Sequence, residues 1–321
     1  MSSYKPRGDQ PPPLPKPYDF VHIPNAPTKL EPPIGHADYK GELVTGTITG
    51  TLIARSPIHV ASGMTETTDK QPSLVKAHFR CNGRPTIPGS SLKGAIRSIV
   101  EAISSPPSCL RITQARFDNL PSNVKRCSDK KRLCIACGMF GAMGYLGQIH
   151  FCDGVSYSDQ TEIIQIPPLH PPRPRERLYY ESGKVIGRKF YMHGQDGKTA
   201  LGNVPTEVCP EGATFSLRID FENLSDGQLA LLLCAMGQGT TRLFPKLGGG
   251  KPACCGSIEI VDIAVKTISA KACATSFEVE STLENLASLT SAMRNIDTDN
   301  LNQLARILTY PGERACPDRN Y

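Results

Sequence analysis

The chain has 321 residues, 39% of them hydrophobic, enough to bury a core in one large or two modest domains. Its 36 basic and 30 acidic residues leave a net charge of +6, compatible with a polyanionic partner but no proof of one. No apolar run reaches 18 residues and the N-terminus lacks a signal-like apolar stretch, which predicts a soluble, cytoplasmic protein with no membrane contact. In a reducing compartment the 12 cysteines are expected to be thiols or metal ligands rather than disulfides.

Residues 1–40 read as an extended Pro-rich arm, with Pro11, Pro12, Pro13, Pro15 and Pro17 favouring polyproline geometry. Residues 41–61 alternate through Val44, Ile48, Leu52 and Ile53, predicting one long strand kinked at Gly50. Residues 62–84 show no periodicity and read as a loop. A helix follows over 90–104, with Leu92, Ile96, Ile99, Val100 and Ile103 at helical spacing. Residues 105–140 carry scattered cysteines; Gly147–Ser156 reads as a second strand; residues 160–205 form a basic, Pro-rich insertion. Residues 213–222 alternate as a third strand. Ser225 with Gln228 then makes a capping box ahead of an apolar helix, and the glycine-rich LGGGKPACCG leads into a last strand, SIEIVDIAV. The order is β-α-β-β-α-β, the ferredoxin-like or RRM-like plan of an α+β fold. A helical extension over 271–321 closes the chain, marked by Leu283, Leu286 and Leu289 and by Leu301, Leu304, Ile307 and Leu308.

Three stretches invite an anion. In TIPGSSLKGAIR, Pro88-Gly89 turns the chain, Ser90 or Ser91 can cap the helix, and Lys93 and Arg97 share a face at i, i+4. Read alone, the stretch favours an ordinary capped helix with a solvated basic face. In KLGGGK, Lys246 and Lys251 flank Gly248, Gly249 and Gly250, whose backbone can approach a phosphate closely. In the insertion, Arg173, Arg175, Arg177, Arg188 and Lys189 alternate with Tyr179, Tyr180, Phe190 and Tyr191, the mixture that tracks phosphates and stacks on bases. Together with the RRM-like plan they point to RNA. Separately, Cys134 and Cys137 have zinc-knuckle spacing, with Cys127 seven residues earlier. A structural Zn²⁺ needs a fourth ligand: Cys109 upstream, taken as the first choice, or His150 or Cys152 downstream. Glu66 and Asp69 are acids in the segment ahead of the helix, able to hold Mg²⁺ or act as a base.

IPGSSLKG-x-x-R, the CxxCxxFG at 134–141 and the glycine loop before the last strand resemble, in order and position, the RAMP superfamily of CRISPR-associated proteins. The likeness spans about 41–265 and is nearest to the repeated backbone subunit of type III effector complexes, the Cas-seven family; GRKFYMHG resembles type III-D and fused single-chain relatives. The resemblance implies an RRM-like palm over 41–270, with a zinc-knuckle insertion near 105–140 and a thumb hairpin near 160–205. It implies as partners a guide RNA (crRNA), a target RNA and neighbouring effector subunits. Ser90, Ser91, Lys93 and Arg97 then resemble guide-backbone contacts, joined by Arg188, Lys189 and the loop Lys246–Lys251. Asp69 resembles the family's aspartate that cleaves target RNA with Mg²⁺ or Mn²⁺, with Glu66 a rival; Cys254 stands where the family's loop has a second glycine. Two alternatives remain: an inactive structural subunit, and a guide-processing ribonuclease relying on His59.

Overall fold

A computed structural model describes residues 16–37, 43–67, 74–110, 121–169, 177–195, 198–268, 280–283, 286–292 and 294–316. In chain order the strands are β1 (Tyr18–His22), β2 (Val44–Ala54), β3 (Ala61–Thr67), β4 (Leu74–His78), β5 (Arg80–Cys81), β6 (Arg84–Ile87), β7 (Ile149–Phe151), β8 (Gly154–Val155), β9 (Glu162–Ile166), β10 (Tyr180–Glu181), β11 (Lys184–Val185), β12 (Gly187–Tyr191), β13 (Val204–Val208), β14 (Thr214–Leu224), β15 (Ile258–Ile268) and β16 (Glu280–Thr282). The helices are α1 (Gly89–Ile103), α2 (Ile135–Phe140), α3 (Asp226–Ala235), α4 (Leu286–Ser291) and α5 (Thr298–Ile307). The fold is mixed α+β.

The central sheet has the order β16-β15-β2-β14-β7, antiparallel throughout. Alternation builds it. Ile48, Leu52 and Ala54 of β2 and Phe215, Leu217, Ile219 and Phe221 of β14 point to one buried face. α1 covers that face with Leu92, Ile96, Ile99, Val100 and Ile103. α3 is apolar all round and buried from Leu229 to Ala235. Its capping box forms as expected: Ser225 Oγ accepts from the Gln228 amide, and the Gln228 side chain accepts from the Ser225 amide. Leu301, Leu304, Ile307 and Leu308 dock α5 on the same core.

The segment 62–84 is not a loop. β3 and β4 pair as a hairpin inside a second sheet of order β3-β4-β13-β9. β3 is exposed along most of its length, so it carries no hydrophobic alternation to read. β2 runs unbroken through Gly50; the irregularity is in its partner, a bulge between Val261 and Ala264. The predicted strand over 147–156 divides, because β7 joins the central sheet and β8 turns to pair with β6. The arm is anchored within its own chain: β1 pairs with β12 from Tyr18↔Tyr191 to His22↔Gly187. The insertion is rooted by β9 and β13, which pair antiparallel, while β12 returns to the body. Cys254 and Cys316 form a disulfide, against the expectation that all cysteines are thiols or ligands, and Cys255 beside it is a buried thiol. Among the described residues no helix is long and apolar enough to cross a membrane.

Candidate functional site

α1 presents two stripes. Ser90, Ser91, Gly94 and Ser98 face an open cavity of about 550 Å³; Lys93, Arg97 and Glu101 face away from it. No side chain caps the helix, contrary to the role expected of Ser90 or Ser91; Pro88 is the N-cap and both serines lie inside the first turn. The first amide, Gly89 N, donates 2.7 Å to Asp153 Oδ1, so a carboxylate already occupies that donor. Gly89 must be glycine: a Cβ there would lie 2.1 Å from Phe151 O. Gly94 is different. A Cβ there would meet nothing within 4 Å, so no protein packing demands its bareness.

The opposite walls are the glycine loop and β12. Lys246, Gly248, Gly249, Lys251 and Lys189 line the cavity with Ser90 and Ser91; Gly250 does not. The loop is seated on His59, whose carbonyl accepts from Gly249 N at 2.7 Å; Gly248 has φ +78°, and a Cβ there would lie 2.2 Å from the same carbonyl. His59 itself is 5% exposed and its Nδ1 donates 2.7 Å to the Glu207 carbonyl, so the ring is a buried strut and not a presented base. Lys246 is 8% exposed. Its ammonium has one long bond, 3.4 Å to Met192 O, and burial pushes its pKa down to about 7. Burial also lowers Lys251. An anion in the cavity would favour the charged form of both amines. Lys189 Nζ lies 4.3, 4.7 and 5.2 Å from the ring centroids of Tyr18, Tyr191 and Tyr179 and donates 2.9 Å to Tyr179 Oη.

Three predicted contacts are elsewhere. Lys93 Nζ donates 2.9 Å to Ile149 O. Arg97 is 6% exposed and bonded to Glu101 Oε1 at 2.7 Å, Gly141 O at 2.8 Å and Cys137 Sγ at 3.3 Å. Arg188 bonds Glu101 Oε2 at 3.1 Å and the carbonyls of Ser108 and Cys109 at 3.0 Å each. These guanidinia are spent inside the fold, so neither is a groove contact. Glu101 unites them, and the Arg97-x3-Glu101 ion-pair spacing is its signal in the sequence. Glu66 is exposed on β3. Asp69 lies outside the described residues, as do Arg173 and Arg175.

The cysteines assemble as proposed. The Sγ atoms of Cys109, Cys127, Cys134 and Cys137 all lie within 4.8 Å of one another, all buried, with Cys109 and Cys137 at 3.6 Å. A tetrahedral site with Zn–S near 2.3 Å needs sulfurs about 3.8 Å apart, so the donor set and spacing fit zinc. Cys109 is the cysteine that completes the four-sulfur cluster, whereas Cys152 lies 3.9 Å from Asp220 Oδ2. Hydrogen bonds from Cys109 and its neighbours draw the Cys134 thiol down, while Cys109 and Cys137 are pushed up, chiefly by the bonds they make to Cys127 and to Cys109 respectively. Cys127 is drawn down as well, chiefly by its bond with Cys109, so the set divides into two lowered and two raised thiols, and a bound cation favours the thiolate at all four.

The sequence model of the RAMP superfamily matches residues 51–259, about two thirds of the chain. No curated protein matches it.

Proposed function

Because this chain belongs to the RAMP superfamily of CRISPR-associated RNA-binding proteins, we propose that it is a guide-RNA-binding backbone subunit of a type III effector complex. One observation carries the reading. A single cavity gathers Ser90, Ser91, Lys189, Lys246, Gly248, Gly249 and Lys251 from three separated segments. Serine hydroxyls, loop amides and three lysines, Lys246 buried and Lys251 partly so, suit a sugar–phosphate backbone. The order β15-β2-β14-β7, with α1 and α3 as crossovers, supports an RRM-like palm. The β9–β13 stem supports a thumb carried on the insertion.

The Cys109, Cys127, Cys134 and Cys137 thiolates would hold Zn²⁺ as a structural ion that ties residues 105–140 together. Target-RNA cleavage is assigned to Asp69, between β3 and β4. Val60 and Ala61, where the chain enters the β3–β4 hairpin, line the cavity, so the root of the hairpin whose connection carries Asp69 belongs to the groove wall. The chemistry is attack of a 2′-oxygen on the adjacent phosphorus with departure of the 5′-oxygen; Asp69, with Mg²⁺ or Mn²⁺ when bound, orients the reacting groups. The burial of His59 disfavours a metal-free, histidine-based processing reaction.

The test is the complex purified with its partner subunits and RNA. A co-purifying guide and periodic target cleavage that stops at this subunit in Asp69→Ala are the expected results. Undiminished cleavage in that variant leaves a structural RNA-binding subunit; no co-purifying RNA refutes the reading.

A further inference from the structure

The back of the groove is built on the cysteine site. Arg97, Glu101 and Arg188 are 8, 10 and 16% exposed at their side chains and form one network. Glu101 sits between the two guanidinia, one on each carboxylate oxygen. Arg97 continues to Cys137 Sγ, and Arg188 to the Cys109 carbonyl; both are residues of the four-cysteine set.

Each partner also belongs to a groove wall. On α1 the stripe Arg97–Glu101 backs the stripe Ser90–Gly94–Ser98. On β12 successive side chains alternate, so Arg188 enters the network while Lys189 enters the cavity. The Glu101–Arg188 pair therefore ties the two walls together directly behind the cavity. The two buried guanidinia share the one Glu101 carboxylate, and Arg97 Nη2 lies 3.3 Å from Cys137 Sγ, so a displacement of that sulfur on metal loading is passed through Arg97 to the Glu101–Arg188 pair.

We propose that Arg97, Glu101 and Arg188 are positioning residues that couple metal occupancy of the four-cysteine site to the width of the groove, so that tight RNA binding requires the loaded site. The groove half of this inference rests on the RNA reading above; the metal half does not.

The experiment measures two quantities on the full-length chain. Zinc affinity is read by competition with a chromophoric chelator, and RNA affinity by anisotropy of a fluorescent single-stranded RNA. Glu101→Gln is expected to weaken zinc roughly tenfold or more, as losing an outer-shell partner does, and to weaken RNA alongside it. Arg97→Lys, which keeps the charge but loses the fork, is expected to do the same and serves if Glu101→Gln does not fold. Lys189→Ala should weaken RNA and leave zinc affinity unchanged. Stripping zinc from the natural protein should weaken RNA as the network variants do.

Unchanged zinc affinity in both folded network variants overturns the inference, whatever RNA does. So does metal stripping that leaves RNA affinity intact. A loaded natural protein that binds no RNA refutes the RNA reading instead, and the chelator competition still decides the metal half.

Discussion

Replacing Gly94 by glutamine should raise stability and lower RNA affinity at once. Gly94 lies in the interior of α1, where glycine costs about 1 kcal/mol relative to a good helix former. A Cβ there meets no atom within 4 Å, so the longer side chain displaces nothing in the protein. The gain should therefore approach the full propensity difference, raising the melting temperature by roughly 2 °C for a chain of this size. Gly94 is exposed and lines the open cavity of about 550 Å³, so the side chain projects into the mouth of that cavity. It would stand between the helix and the backbone proposed to lie there, displacing at least one charged hydrogen bond worth about 1.5–3 kcal/mol. RNA affinity should drop roughly tenfold or more. Gly94→Ala, with one added methyl, should give the same stability gain and a smaller affinity loss. Thermal melts and RNA anisotropy on the same preparations check both signs. A glutamine variant that is stabilised and binds RNA normally refutes the location of the RNA; one that is destabilised refutes the description of the site as open.

Metal analysis of the purified protein should find one zinc per chain, and Cys134→Ser or chelation should lower the melting temperature while the large apolar core keeps the chain folded, since binding at a structural site adds to folding free energy. Zinc-free protein that melts normally would refute the site. Burial pushes His78 down to about 4 and His193 down to about 3. The unfolded chain binds those two protons near pH 6.5, so stability is intact above that pH and falls as acid is added toward pH 4, with a slope approaching ~2.7 kcal/mol per unit for the pair. Denaturant melts at pH 7, 6 and 5 test this, and His193→Gln should roughly halve the slope. Cys316→Ser opens a loop closed at a sequence separation of 62. The chain-entropy treatment puts the loss as high as about 4 kcal/mol; equal denaturation midpoints with and without reductant would count against a formed bond.

The parts of the fold legible in the sequence are those with one buried face. The alternation of 44–54 and 214–224 and the helical period from Leu92 to Ile103 report a core directly. Ser225–Gln228 was readable because a capping box is a local contract between neighbours. β3 escaped because nothing covers most of it, so no period was imposed on its residues. The destinations of Arg97 and Arg188 escaped for another reason. Spacing says which residues share a helix face, but which face meets the groove depends on where the cysteine segment folds back, and that contact is distant in sequence. Cys109 could be named a ligand only as the nearest upstream cysteine, since the intervening span has no fixed spacing to read. Lys246 reads in the sequence only as one flank of a glycine loop; its burial, with its ammonium on the Met192 carbonyl, is a tertiary outcome.

The arm strand has a consequence for biosynthesis. Tyr18–His22 leaves the ribosome long before its partner Gly187–Tyr191. At typical elongation rates of about 5–20 residues per second, the wait is roughly 10–30 s. During that interval the arm is an unpaired strand edge on a nascent chain, the kind of element that invites wrong pairing. The prolines at 11, 12, 13, 15 and 17 directly precede it, and proline lacks the amide that a growing ladder needs. Wrong pairing at the strand therefore has little room to spread toward the N-terminus, where the prolines offer few amides, before β12 arrives to complete the wall that holds Lys189.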